Sequence, residues 1–428
     1  MTKRRRILEL GKDVLIVLLT CSAVWLAARS QLPVRGLLRE ETAQARPQAQ
    51  SEGRMEAARP LRITACLSGG AEPVRYGALY DDEACAALFQ QVAGLLMEAL
   101  SSAGQPEAIP RRQWEAALSS APGVAFDFQG EIPLGVLSGW LSGEETGLTA
   151  SARRLVLAVQ RDTASLFYQE GDAYFRCPAE VVNPLHLEQA LSTLTGNGAF
   201  YAFESEACAA LDPDTLLPAQ TPEPAVYSAT NPVSGGQAAL ETLAAELGLP
   251  INANGVYYAG EWVARSGSDT LRLSNRGELV YLAGEEGGQR LLTGGSATLL
   301  NGVEACRRLA FALMGSRCGQ ARLYLSAITP MEQGWEISFQ YSLDGIPVTL
   351  ETGPAARFQV RSGRITQFSM SLRSYVDSGT QSRVLPLPQA AAALEAMGLE
   401  GEELLLVYRD SGSDTVPADW VAGGHREG

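Results

Sequence analysis

Five basic residues, Lys3, Arg4, Arg5, Arg6 and Lys12, precede an uncharged run from Val14 to Ala28 that Arg29 closes. Apolar runs of about 20 residues cross a bilayer as helices, and flanking basic residues stay in the cytoplasm. The run is short, but Lys12 and Arg29 can snorkel at its ends. The pattern predicts a single anchor with a cytoplasmic N-terminus, so that Ser30 to Gly428 lies on the extracytoplasmic side of the cell membrane. A cleaved signal peptide is the alternative; Trp25 and Leu26 stand where a cleavage site wants small residues. Inside the run, Thr20, Cys21 and Ser22 offer small and polar surface for helix-helix contact, and Trp25 suits the outer interface. Lipid exposure without a partner is the other reading of those four residues.

Beyond the anchor the chain is acidic and short of reactive bases. Six basic and two acidic side chains stand in residues 1 to 30, so the net −14 of the whole chain becomes about −18 beyond Ser30. That charge argues against binding nucleic acid or anionic headgroups by bulk attraction. Lys3 and Lys12 are the only lysines, and His186 and His425 the only histidines. Schiff-base and Ser-Lys chemistry are thereby excluded outside the membrane, and His186 is left as the one histidine outside the polar tail to serve a Ser-His or Cys-His site. Its place at the start of an apolar helix reads as structural. No HExxH pattern or calcium loop is present, and no cofactor is expected.

The carboxylate pairs have ordinary explanations. Asp81-Asp82-Glu83 stands just ahead of an apolar-periodic run, which suits helix capping. Glu204 with Glu206, and Asp212 with Asp214, are the pairs that a hydrolase would use. Six cysteines lie outside the anchor: Cys66, Cys85, Cys177, Cys208, Cys306 and Cys318. In an oxidising compartment they can form disulfides, with chain neighbours Cys66 and Cys85, Cys177 and Cys208, and Cys306 and Cys318 as natural pairs. They are equally readable as small buried hydrophobes.

The pattern predicts an α+β fold: an N-terminal transmembrane helix, an α/β module, then tandem helix-plus-antiparallel-sheet units. Residues 1–30 form the tip and anchor, and 31–60 a solvated or weakly helical linker. Residues 61–208 form the α/β module, opening with a strand at Leu61 to Leu67 and a helix from about Asp81 to Ser102. Five prolines between Leu211 and Gly236 mark 209–236 as an extended connector. Units follow at 237–296 and 297–384, with a partial third at 385–428. Arg161-Asp162, Asp344-Gly345 and Ser362-Gly363 read as hairpin turns.

The basic start, the anchor, the repeated helix-plus-hairpin units with Trp335 to Val348 and Phe358 to Phe368, and the closing Val416-Pro417-Ala418-Asp419-Trp420 together resemble the YycH/YycI family, whose tandem units are PepSY-like. The resemblance implies a non-catalytic accessory protein that modulates a cell-wall-controlling sensor histidine kinase of the WalK (YycG) kind, through its transmembrane helix and ectodomain, with a related YycH/YycI-type protein as a second partner. Two rivals come from other classes. One is an extracytoplasmic hydrolase of envelope polymers. The other is a peptide- or glycan-binding module using a sheet edge or the aromatics Tyr257, Tyr258 and Trp262.

Overall fold

The computed structural model describes residues 46–68, 74–233, 236–251, 255–285, 287–290 and 298–423. The expected anchor, with Thr20, Cys21, Ser22 and Trp25, lies outside the described residues, as does His425. The fold is mixed α/β, dominated by sheet, with eight α-helices among the described residues. They are α1 (Arg46–Ala57), α2 (Asp82–Ser101), α3 (Arg111–Leu118), α4 (Leu134–Ser142), α5 (Pro184–Leu191), α6 (Gly236–Glu246), α7 (Leu299–Met314) and α8 (Leu387–Ala396).

The first sheet has seven antiparallel strands, in the order Val74–Ala78, Arg62–Leu67, Gly123–Pro133, Ser151–Gln160, Thr163–Glu170, Ala173–Pro178 and Glu107–Ile109. Helix α2 packs against it together with α4 and α5. Asp81 caps α2 by accepting from the Ala84 N–H at 2.8 Å, and Leu88, Phe89, Val92, Leu96 and Leu100 form its buried stripe. Each such side chain contributes about 1.5–3 kcal/mol when taken out of water. The α2 helix is long and apolar enough to cross a membrane, but half of it is buried within the fold. Helix α3 seats Trp114 in a separate cluster with Phe167, Tyr201 and Leu216.

A second sheet takes twelve of the described strands between Val256 and Gly423, leaving out Ser374–Gln381 and Thr415–Val416. Helix α6 covers the strands Trp262–Ser266 and Asp269–Leu273, while α7 covers Gly334–Leu343, Ala356–Arg361 and Arg364–Ser371. Two helix-plus-sheet groups therefore share one continuous sheet. All its pairings are antiparallel among the described strands except Ile346–Leu350 beside Glu403–Asp410. Three two-residue hairpins carry positive φ at both central positions, as a type I′ turn requires: Arg161-Asp162, Asp344-Gly345 and Ser362-Gly363.

Three features differ from the sequence expectation. Residues 46–60 take the helical of the two linker readings, as α1, but the segment docks on the fold: Ala58, Arg59 and Pro60 are buried. The proline-rich 209–236 segment is extended, yet its Ala225–Thr230 strand is the centre of a three-stranded sheet, between Ser374–Gln381 and Thr415–Val416. The prolines flank that strand and leave its ladder intact. The first module and the later units share one core cluster, running from Ala58 and Ile63 to Ala418. Of the two readings of the external cysteines, the structure takes that of small buried hydrophobes: all six described cysteines are free and buried. Burial raises their thiol pKa, to about 12 at Cys85 and about 11 at Cys177.

Two bulges join the halves. Pairing of Gly123–Pro133 with Ser151–Gln160 breaks between Asp127 and Ile132, and pairing of Arg322–Met331 with Gly334–Leu343 shifts between Leu325 and Ala327. Gly130 in the first bulge meets Ser326 in the second so closely that a Cβ would stand 2.4 Å from the Ser326 carbonyl oxygen. Close backbone approach of this kind is a role for glycine in a strand. Nearby, Gly139 of α4 packs on Leu300 of α7.

Candidate functional site

The bulge at 127–132 also places charge in the interior. Alternation along a strand would send Arg153 and Arg154 to opposite faces. Arg154 pairs in register with Asp127, whereas Arg153 stands opposite the bulge, and both guanidinium groups reach the same carboxylate, each Nε 3.4 Å from an Asp127 oxygen. Arg62, on the neighbouring strand, donates to Asp127 at 2.5 Å and to Glu403 at 2.8 Å. Arg153 donates to the other Glu403 oxygen at 2.5 Å.

Three arginines thus hold two carboxylates, and Glu403 comes from the far end of the chain. Burial alone would raise the Glu403 pKa, but Arg153, Arg154 and Arg62 outweigh it and bring the value to about 2. Asp127 is likewise held well below its ordinary range by Arg62, Arg153 and Arg154 against the opposing effect of burial. Both carboxylates are therefore ionised. A network of this kind fixes relative placement more than it adds net stability.

Arg153, Arg154 and Glu403 also face a cavity of about 350 Å³. The first sheet contributes Tyr174 as well, the connector contributes Asp212 and Asp214, and the C-terminal segment contributes Glu400 and Glu402. Asp214 is 2 % exposed. Its backbone N–H donates to Asp212 at 2.7 Å, while its own oxygens have long contacts with Arg111 Nη2 and Tyr174 Oη at 3.4 Å and Arg154 Nη1 at 3.9 Å. Burial raises its pKa, with Arg154 and Arg111 opposing. Burial and Asp214 together push the Tyr174 hydroxyl up to about 12.

The other candidates are dispersed. Glu204 is bound to Arg75 and accepts from the Tyr201 N–H at 2.8 Å, while Arg75 stacks 4.9 Å above the Tyr201 ring. That arrangement is structural, and Glu206 lies in the separate turn Glu206–Cys208. His186 is exposed on α5. Tyr257 and Tyr258 are exposed on Val256–Tyr258, the terminal strand of the large sheet, where Tyr258 meets Trp262 edge-on at 5.3 Å. Asp82 pairs with Arg59 at 2.9 Å, which accounts for its place at the head of α2. No group of three or more His, Cys, Asp or Glu is arranged to hold a metal ion among the described residues.

Of the sequence-derived site residues, the cavity brings together Asp212 and Asp214 alone. Reading the sequence does not single out Arg62, Arg153, Arg154 or Glu403, although two consecutive arginines inside an apolar strand are a readable signal of buried charge. No family model, curated protein or solved structure matches the chain.

Proposed function

We propose that the chain is a non-catalytic accessory protein, anchored in the cell membrane by Val14 to Ala28, whose extracytoplasmic part modulates a sensor histidine kinase of the WalK (YycG) kind. The proposal takes the helix-plus-sheet groups under α6 and α7 as tandem PepSY-like units and the chain as YycH/YycI-like.

The observation that carries the reading is the docking of α1, the first described segment after the anchor, onto the joint between the two halves. Arg54 of α1 lies 3.6 Å from Glu304 of α7, and Glu304, 1 % exposed, is also gripped by Arg307 and Arg308 at 2.8 and 2.9 Å. Arg322, half-buried at the start of the bulged strand, donates to the carbonyls of Arg59 and Pro60 at 3.2 and 3.4 Å. Those carbonyls follow the C-terminus of α1, where orphan acceptors favour a cation. Arg59 turns the other way, donating to the Asp82 carboxylate and carbonyl at the start of α2. A helix held by both halves transmits a displacement at the membrane to their joint, and a partner that prefers one arrangement by a few kcal/mol shifts its population.

The test is membrane co-purification of the tagged full-length chain beside a version whose Val14 to Ala28 run is replaced by an unrelated anchor. Recovery of a sensor kinase, weakened by the exchange, supports the reading; absence of any kinase from both preparations refutes it. One observation favours the hydrolase as a second reading: Asp212 and Asp214 share a cavity wall, and Asp214 has a raised pKa. A carboxyl in that state suits a general acid. The hydrolase reading requires that the purified chain cleave an envelope polymer and that Asp214→Asn abolish the cleavage.

A further inference from the structure

The cavity between the first sheet, the connector and the C-terminal segment takes no part in the anchoring or in the docking of α1. Its walls carry both signs of charge, with seven carboxylates facing three guanidiniums. Two polar atoms in those walls are buried without a hydrogen-bond partner. One is Nη2 of Arg154, a side chain 7 % exposed, and the other is Oε2 of Glu402. Arg154 Nη2 lies 2.9 Å from Glu403 Oε1, close enough for charge attraction but without hydrogen-bond geometry. Glu402 Oε2 is thus an acceptor left unpaired, which is costly and which a ligand donor relieves, while Arg154 is held by charge attraction to Glu403.

We propose that this cavity binds a basic amino acid or a short basic peptide, gripping its ammonium groups with carboxylates and its carboxylate with arginine. The mixed walls call for a ligand bearing both charges, and the excess of carboxylates calls for net positive charge. Asp212, Asp214 and Glu402 receive the ammonium groups, with Asp172 and Glu400 adding negative charge at the exposed rim. Arg111, whose side chain is 43 % exposed, is the guanidinium most open to an incoming carboxylate. About 350 Å³ is the size of a small-molecule site. A bare metal ion fits poorly, because the carboxylates do not converge in threes and guanidiniums stand among them. Because the walls come from three parts of the chain, occupancy ties those parts together. This inference goes beyond the kinase reading and does not depend on it.

The test is calorimetric titration of the full-length chain in detergent micelles with L-lysine and lysyl-lysine. n-Butylamine, acetate and calcium chloride serve as single-feature probes. Saturable binding of lysine or lysyl-lysine, at least tenfold tighter than that of butylamine or acetate, is the expected result. Asp172→Asn and Glu400→Gln, at exposed positions on the cavity wall, are expected to weaken it at least threefold each without lowering the thermal midpoint of the unliganded chain. The proposal is overturned if neither basic ligand binds saturably, if butylamine or acetate binds as tightly, if calcium alone binds, or if both substitutions leave affinity unchanged.

Discussion

Replacing Glu403 by Gln removes one negative charge from a cluster in which Arg62, Arg153 and Arg154 are shared between Glu403 and Asp127. Two buried guanidiniums, Arg62 and Arg154, and the half-buried Arg153 then face Asp127 with one compensating charge fewer. Breaking a buried pair from one side costs about 3–5 kcal/mol. The lowered Glu403 pKa points the same way, since a fall from the ordinary 4.5 to about 2, at about 1.4 kcal/mol per tenfold, is on the order of 3–4 kcal/mol. The folded-state pKa lies below the unfolded one, so this stability is present above about pH 4.5 and is lost as pH falls toward 2. The assay is urea unfolding of the full-length chain in micelles between pH 7 and pH 2.5, followed by tryptophan fluorescence. With a slope of about 3 kcal/mol per molar urea, Glu403→Gln lowers the midpoint at pH 7 by about 1 M. The variant also loses less of its remaining stability than the wild type between pH 5 and pH 2.5. The exposed Glu400→Gln serves as the control and stays within about 0.5 kcal/mol of wild type. A midpoint for Glu403→Gln within about 0.2 M of wild type, with an unaltered pH profile, refutes the reasoning.

Two further outcomes follow from the packing and the thiols. Gly130→Ala places a Cβ 2.4 Å from the Ser326 carbonyl oxygen and destabilises by about 1–3 kcal/mol as the bulged strands part, whereas Gly135→Ala, with open space around its Cβ inside α4, stabilises by up to about 1 kcal/mol; thermal unfolding of the two variants checks both signs. With burial holding the thiols of Cys85 and Cys306 above their ordinary pKa, the native chain, prepared without reductant, reacts slowly with maleimide, and the unfolded chain exposes every described cysteine as a free thiol by mass spectrometry.

The hydrophobic period and turn chemistry make the long elements legible: α2, α7, the hairpin strands of the first sheet, and the turns at Asp344-Gly345 and Ser362-Gly363 follow from local pattern. Short strands set by long-range pairing are not legible. Val74–Ala78 and Ser374–Gln381 exist because Arg62–Leu67 and Ala225–Thr230 offer them free edges, and proline content points to a connector where a paired strand also forms. Helix α1 has few apolar side chains, and Glu304, Asp82 and Arg322, distant in sequence, hold it. For the cavity, Asp212 and Asp214 are visible as a pair. Glu403 is not, because its partners lie 341 and 250 residues away, and a bulge, rather than strand alternation, brings Arg153 and Arg154 to one carboxylate.

The docking of α1 at the joint between the halves is tested most directly by amide hydrogen exchange on the full-length chain in lipid nanodiscs. Residues 46–57 are expected to exchange as slowly as α7, and Glu304→Gln to speed exchange in α1. Losing the 3.6 Å ion pair between Arg54 and Glu304, at about 1 kcal/mol for a partly exposed pair, corresponds to an acceleration of about fivefold. Exchange of residues 46–57 at the rate of an unstructured peptide in the wild-type chain, or indifference of that segment to Glu304→Gln, contradicts that docking.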